Sequence, residues 1–347
     1  MQFFVGIDVS KAKLDVALLL ANDKVKSKVF TNDPPGFEAL LQWLRSHVSD
    51  LQALHQTLHI CMEATGAYHE ALACWLSDQG LGLGLGLGLG LGSGLDQGLA
   101  VSVVNPLLVK RFAEANRLRN KTDGGDAKCL AMFCKSTRPE RWEAPSMALR
   151  TLQALVARLD TLQAMRQAEC NRLDVAHPSV ADSLRKVIDG LDEAISQVKA
   201  QIASTMDDDP DLKRRTQLLN SIPGLGEKTI PQLLAYIGRP ERFKSVKALI
   251  AFAALTPLIR QSGTSLNSHR GTHPMGHQQL RRALYFPAMV AGRYNPLIAA
   301  FWAKLKAQNK PGKVIVVACM HKLLAIAYGV LRSDKPFDAN YLHRSGA

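Results

Sequence analysis

The order of apolar runs over the first hundred residues constrains the fold most. Residues 3–7 form an apolar run that closes on Gly6, Ile7 and Asp8. Residues 14–20 and 25–30 read as the next two strands, linked by Asn22 and Asp23, residue types that favour turns. A helix begins near Pro35 and carries Phe37, Leu40, Leu41, Trp43 and Leu44 at helical spacing. Residues 58–62 form a fourth strand, closed by Glu63, Ala64, Thr65 and Gly66. Residues 68–76 read as helix, and residues 101–104 as a fifth strand stopped by Asn105 and Pro106. A three-strand meander followed by strands alternating with helices predicts an α/β domain.

That order matches the ribonuclease H-like fold. One stretch interrupts it. Leu and Gly alternate without a break over residues 81–92. Glycine weakens both helix and strand, so the alternate leucines have no stable face to join. The flanks repeat, with Asp78, Gln79, Gly80 and Leu81 recurring as Asp96, Gln97, Gly98 and Leu99. Residues 80–97 therefore read as a repeat-generated insertion in a helix-to-strand loop. A phosphate-cradling glycine loop would require a following Lys and Ser or Thr, which the tract lacks.

The pattern changes after residue 148. Leu149, Leu152, Leu155, Leu159 and Leu162 form one apolar stripe. Beyond a break at His177 and Pro178, the positions Leu184, Ile188, Leu191, Ile195, Val198 and Ile202 follow coiled-coil spacing. A helical hairpin or coiled coil over 149–206 follows, packed within the chain or against a second copy. The expected division is an α/β domain at 1–148, this helical region, and a mostly helical C-terminal domain at 207–347.

Charge separates the last domain from the rest. Residues 1–206 hold 22 Lys and Arg against 22 Asp and Glu, whereas residues 207–347 hold 21 against 8. The whole net charge of +13 thus lies in the C-terminal part, the footprint of a protein that meets a polyanion. None of the six cysteines form a C-x-x-C pair, which argues against a zinc knuckle and fits a reducing, cytoplasmic location. No secretory leader is expected, and residues 314–331, interrupted by His321 and Lys322, read as a buried helix and not a membrane span.

Four acids occupy distinctive positions. Asp8 ends the first strand, Glu63 ends the fourth, and Asp123 and Asp126 open a helix in an i,i+3 pair that shares one face. Gathered together they would repel unless hard divalent cations such as Mg²⁺ (or Mn²⁺) sat among them. Two such ions polarise a phosphodiester and stabilise both attacking and leaving oxygens. Taken singly, the same residues serve as a turn residue, a helix cap and a dipole complement.

The basic domain carries two further signals. Ser221, Ile222, Pro223, Gly224, Leu225 and Gly226 join two helix-like segments in a helix-hairpin-helix pattern, where Gly224, Gly226 and Lys228 would approach a phosphate backbone. Residues 256–265 read as a loop holding Arg260, Ser262 and Gly263 ahead of an Arg-rich stretch, with Ser265 and Ser268 close by. A serine there either caps a turn or, once deprotonated, attacks phosphorus. Arg270, His277, Arg281 and Arg282 follow, either clamping phosphates or forming a solvated basic face.

In this order the segments resemble the DEDD transposases of the IS110 class of bacterial insertion sequences. The matching residues are Gly6 to Lys11, Met62 to Gly66, Val104 to Pro106, Arg119 to Asp123 with Asp126 and Ala127, Ser221 to Lys228, Leu255 to Pro257 with Ser262 and Gly263, and Leu280 to Leu284. The resemblance implies a RuvC-like domain whose metal-holding acids are Asp8, Glu63, Asp123 and Asp126, with Lys121 of the same motif near nucleic acid. It implies a helical coiled coil, and a transposase domain with Ser262 as nucleophile. It also implies donor and target DNA as substrates, a guide (bridge) RNA from the element's own ends, and a homo-oligomer, dimer or tetramer, in which one subunit's acids meet another's serine. One departure stands out: the family's Lys before Gly276 and His277 is replaced by His273, Pro274 and Met275. The expected reaction is Mg²⁺-assisted cutting and rejoining of DNA through a phosphoserine ester, which needs no ATP motif. The rivals are a hydrolytic junction nuclease, and an inactive transposase remnant that still binds nucleic acid.

Overall fold

The computed structural model describes residues 3–20, 22–48, 58–64, 66, 68–81, 99–116, 123–262, 266–272 and 276–340. The chain forms two compact units, Met1–Ala144 and Pro145–Ala347. Residues 82–98, most of the Leu-Gly insertion, lie outside the described residues, as does Lys121.

The first unit is built on a five-stranded sheet. Strands β1 (Phe3–Val9), β2 (Lys13–Leu19) and β3 (Val25–Thr31) form the antiparallel meander. Helix α1 (Pro34–Arg45) follows, its start fixed by Asp33, whose side chain accepts from the Gly36 N–H at 2.8 Å ahead of two prolines. Strand β4 (Leu58–Glu63) pairs parallel with β1, and after α2 (Tyr68–Leu81) strand β5 (Ala100–Val104) pairs parallel with β4. The spatial order is β3-β2-β1-β4-β5. Helices α3 (Pro106–Ala115) and α4 (Asp123–Thr137) complete the unit. The mixed sheet with helices on both sides is consistent with the ribonuclease H-like expectation.

Strand alternation splits the core in two. Val5, Ile7, Leu14, Val16, Ile60 and Met62 pack with residues of α1 and α2 such as Leu40, Leu44 and Leu72. Phe4, Leu19, Cys61 and Val104 pack on the other side with Val109 of α3 and Cys129, Leu130 and Phe133 of α4. Helix α4 crosses β1, β2 and β4 at very close range. A Cβ at Gly6 would lie 2.0 Å from the Ala127 carbonyl oxygen and 2.3 Å from the Ala131 nitrogen. Glycine at position 6 is what lets α4 lie directly on the strand.

The second unit begins with two long helices, α5 (Met147–Leu173) and α6 (Pro178–Asp208), packed against each other. Ile188, Ile195 and Ile202, one per heptad, are buried, with Leu191 and Val198 half-buried. The expected stripe on α5 is modified: Val156 is buried, while Leu155 is only partly so. Helices α7 (Pro210–Asn220), α8 (Ile230–Ile237) and α9 (Val246–Phe252) follow. Next come a two-stranded hairpin, β6 (Pro257–Ser262) with β7 (Leu266–Thr272), and helices α10 (Gln278–Tyr294), α11 (Pro296–Ala307) and α12 (Gly312–Ser333). The region read as a loop around Ser262 is thus largely strand. The α5–α6 pair shares one continuous hydrophobic core with the helices that follow it. Helix α12 is long and apolar enough to cross a membrane by composition, yet Ile315, Cys319, Leu323, Leu324 and Ala327 are buried in that core.

Candidate active site

The acids of the first unit are placed by strand register. Ile7 pairs with Met62 across the parallel strands β1 and β4, so Asp8 and Glu63 are the next residues on neighbouring strands. Asp8 lies four residues beyond Phe4 and Glu63 two beyond Cys61, which puts both on the α4 side of the sheet. Asp126 immediately precedes Ala127, whose carbonyl lies over Gly6. All three are half-buried. Electrostatics supports the grouping: the Cys129 thiol is pushed up first by burial, then by the negative charges of Asp126 and Glu63. Asp123 is the first residue of α4, and its side chain lies outside the described part of the structure.

These groups offer only carboxylate oxygens, the donors that Mg²⁺ and Mn²⁺ prefer. Among the described residues, no three His, Cys, Asp or Glu side chains already stand close enough together to grip an ion. The donor chemistry and the strand-end placement fit a hard divalent cation, and the fourth acid belongs to the undescribed side chains.

Sequence reasoning missed one acid. Asp15 is the cross-strand partner of Asp8 in the β1–β2 register, and it lies on the α4 side with Ala17 and Leu19. It is only 7% exposed and pairs with Lys13, Nζ to Oδ2 3.1 Å. A buried charge with its counter-ion directly opposite Asp8 belongs to the local electrostatics of this site. The signal available in the sequence was the alternation Lys13, Asp15, Ala17, Leu19, which places the acid on one face only if the register with β1 is known.

In the second unit, Ser262 is the last residue of β6 and pairs in register with Leu266; Arg270 pairs with Leu258. The side chains of Ser262 and Arg270 lie outside the described part of the structure, as do Ser265 and residues 273–275. His277 caps α10, its Nδ1 accepting from the Leu280 N–H at 3.2 Å, with its ring against Tyr236 and Phe252. Burial, then Arg242 and Arg281, push its pKa down. Arg281 donates to the Ala253 carbonyl at 3.0 Å, whereas Arg282 is exposed.

The turn between α7 and α8 divides its two glycines. Gly224 has φ +106°, and a Cβ there would lie 2.6 Å from the Ala291 Cβ, so this glycine serves packing against α10. The buried Asn295 pins the same turn, donating to the Pro223 carbonyl at 3.4 Å while capping α11. Gly226 meets open space, and it and Lys228 are exposed. From Arg242 to Arg332 the chain contains no Asp or Glu.

A sheet with acids at the ends of adjacent strands, followed in the chain by a helical unit whose long central stretch lacks acids, fits the class of DNA-cutting transposases and recombinases. Comparison with known proteins agrees. A DEDD transposase model of the IS110 type matches residues 5–85 and 91–176, and a "Transposase IS116/IS110/IS902 family" model matches residues 216–303. The break between 85 and 91 falls inside the Leu-Gly tract. The chain is 33% identical over 337 residues to the "Pilin gene-inverting protein" of Moraxella bovis, covering 96% of this chain and 97% of that protein. The protein of the same name from Moraxella lacunata matches to the same extent. An uncharacterized 43.6 kDa protein of insertion element IS110 from Streptomyces coelicolor is 27% identical over 199 residues, 57% of this chain and 47% of that one. The chain belongs to the IS110 family of transposases. It is a DNA-acting enzyme, and DNA is its substrate.

Proposed function

We propose that the chain is a Mg²⁺-dependent (or Mn²⁺-dependent), RNA-guided recombinase that cuts and rejoins DNA through a phosphoserine intermediate. The observation that carries this reading is the placement of Asp8 and Glu63 side by side at parallel strand ends, with Asp126 on the helix above them. In this reading residues 1–148 are the RuvC-like domain, 149–206 the coiled-coil region and 207–347 the basic transposase domain. Asp8, Glu63, Asp123 and Asp126 hold the metal. Bound there, it supplies Lewis-acid stabilisation of charge on the scissile phosphate.

The remaining chemistry belongs to the second unit. The Ser262 hydroxyl gives up its proton and attacks phosphorus, and the bond from phosphorus to one deoxyribose oxygen breaks. That oxygen leaves as a hydroxyl, having taken up a proton. A hydroxyl of another strand then attacks the phosphoserine and releases Ser262, so phosphodiester bonds are conserved and no nucleotide is consumed. Arg270, Arg281, Arg282 and Lys228 contact phosphates, with Lys121, Gly224, Gly226 and His277 contributing to the same nucleic-acid surface. The acids and the serine lie in separate compact units, which suits a homo-oligomer, dimer or tetramer, whose sites combine groups from two copies. The full-length match to pilin gene-inverting proteins supports recombination between sites, inversion included, as the outcome.

The test supplies purified protein, Mg²⁺ and paired donor and target duplexes, with and without the non-coding RNA encoded beside the gene. Joined strands only when RNA is present are expected. Joined strands without RNA would remove the guide, and free ends with no joining would point to a hydrolytic nuclease.

A further inference from the structure

We propose that a groove beside the N-terminal half of α10 is a subsite for an unpaired nucleotide. It takes the base against the face of one aromatic side chain and the phosphate at two arginines. This rests on the reading of the second unit as nucleic-acid binding and goes beyond it by naming a stacking site.

Helix α10 buries Leu280, Leu284, Ala288 and Ala291 but leaves its other side unpartnered: Phe286 is 72% exposed, and Tyr285, Met289, Val290 and Tyr294 are also exposed. Large apolar side chains clustered on one exposed helix face mark a contact surface. Tyr285 and Phe286 meet edge to face at 5.5 Å and border a cavity of about 400 Å³. Leu255, Val317 and Met320 also line it, together with Arg281 and Arg282. Ligand pockets run from roughly 300 to 1,000 Å³, so the cavity is large enough for a base. Arg281 is already held by the Ala253 carbonyl, which lowers the ordering cost of a phosphate contact.

The charge of the surroundings selects the occupant. Residues 242–333 carry 14 Lys and Arg and no acid. Asp160 of α5, the carboxylate that acts on neighbouring His277, already accepts a hydrogen bond from the Tyr236 hydroxyl at 2.5 Å. A second copy docked symmetrically on this face would bring two acid-free basic patches together, which is repulsive. A nucleotide brings the opposite charge and a π-face for Tyr285 or Phe286. Bases in a duplex are stacked and hidden, so the occupant is unpaired. Leu255 lies two residues before β6, so the groove sits at the root of the hairpin, whose first strand runs about 17 Å to Ser262 at its far end. A nucleotide held here would belong to a strand opened on the same unit that carries Ser262.

The test uses the full-length protein with two probes: a short single-stranded oligothymidine bearing one iodouracil, and a blunt duplex. Phe286→Ala should weaken single-strand binding about 5- to 100-fold, the range for loss of one stacked base. It should leave duplex binding within about twofold, because phosphate contacts remain. Phe286→Tyr should restore single-strand affinity, and irradiation should cross-link the probe to Tyr285 or Phe286. Equal losses on both probes, no loss on either, or cross-links only elsewhere would overturn the subsite. Dissociation of an oligomer by Phe286→Ala, with unchanged single-strand affinity, would assign the face to a second copy. Wild-type protein that binds neither probe would overturn the nucleic-acid reading of the unit itself.

Discussion

Gly6→Ala should separate the two halves of the metal site without touching a carboxylate. The added methyl would stand 2.0 Å from the Ala127 carbonyl oxygen and 2.3 Å from the Ala131 nitrogen, both backbone atoms that cannot rotate aside. Helix α4 must lift from β1, and Asp126 moves with it, away from Asp8 and Glu63. Overpacking of this kind costs about 1–3 kcal/mol of stability. A displacement of about 1 Å at a reacting centre costs on the order of 100-fold in rate. Urea denaturation should show the stability loss, and strand cleavage with Mg²⁺ should fall by the larger factor in protein that is still folded. Gly190→Ala is the control: it lies on α6 with nothing within 4 Å of the new methyl. It should stabilise by about 0.5–1 kcal/mol and leave cleavage unchanged. A Gly6→Ala protein as stable and as active as wild type would refute the claim that α4 and β1 assemble the site through this contact.

Asp8→Asn, Glu63→Gln and Asp126→Asn should each abolish cleavage while leaving the thermal unfolding midpoint near wild type; wild-type rates in any two would remove the four-acid assignment. Asp15→Asn, which takes away the carboxylate paired with Lys13 opposite Asp8, should lower cleavage about 10- to 100-fold. His59, His277 and His321 all have pKa values pushed down by burial. Each therefore takes a proton more readily unfolded than folded, so stability is full above the unfolded value of about 6.5 and falls as the pH drops below it; a denaturation midpoint flat between neutral and acid pH would contradict this. Deleting residues 80–97 should preserve or improve solubility and cleavage, because the tract offers no face to pack; a well-folded but inactive deletion would give the loop a role.

How much was legible depended on whether the signal was local. The strands and helices of the first unit followed from period-2 and period-3.6 patterns, and Pro35 marked the start of α1. The heptad isoleucines of α6 were readable for the same reason. The β6–β7 hairpin was not. Its central pairs, Arg260 with Ser268 and Gln261 with Asn267, are polar, so pairing and not hydrophobic alternation defines it. Asp15 and the packing role of Gly6 were not readable because their importance arises from what lies across the sheet or above it. That α5 and α6 share a hydrophobic core with the later helices was not readable either, because those contacts join residues distant in sequence.

The central claim is that Ser262 carries the broken strand. Protein, guide RNA and end-labelled DNA are incubated with Mg²⁺, denatured, and examined for label on the protein, with the attachment site mapped by mass spectrometry. The account predicts a covalent adduct on Ser262 that disappears in Ser262→Ala together with cleavage. Efficient cleavage with free DNA ends and no adduct, even on suicide substrates that block rejoining, would contradict it; an adduct on Ser265 would keep the mechanism and move the nucleophile.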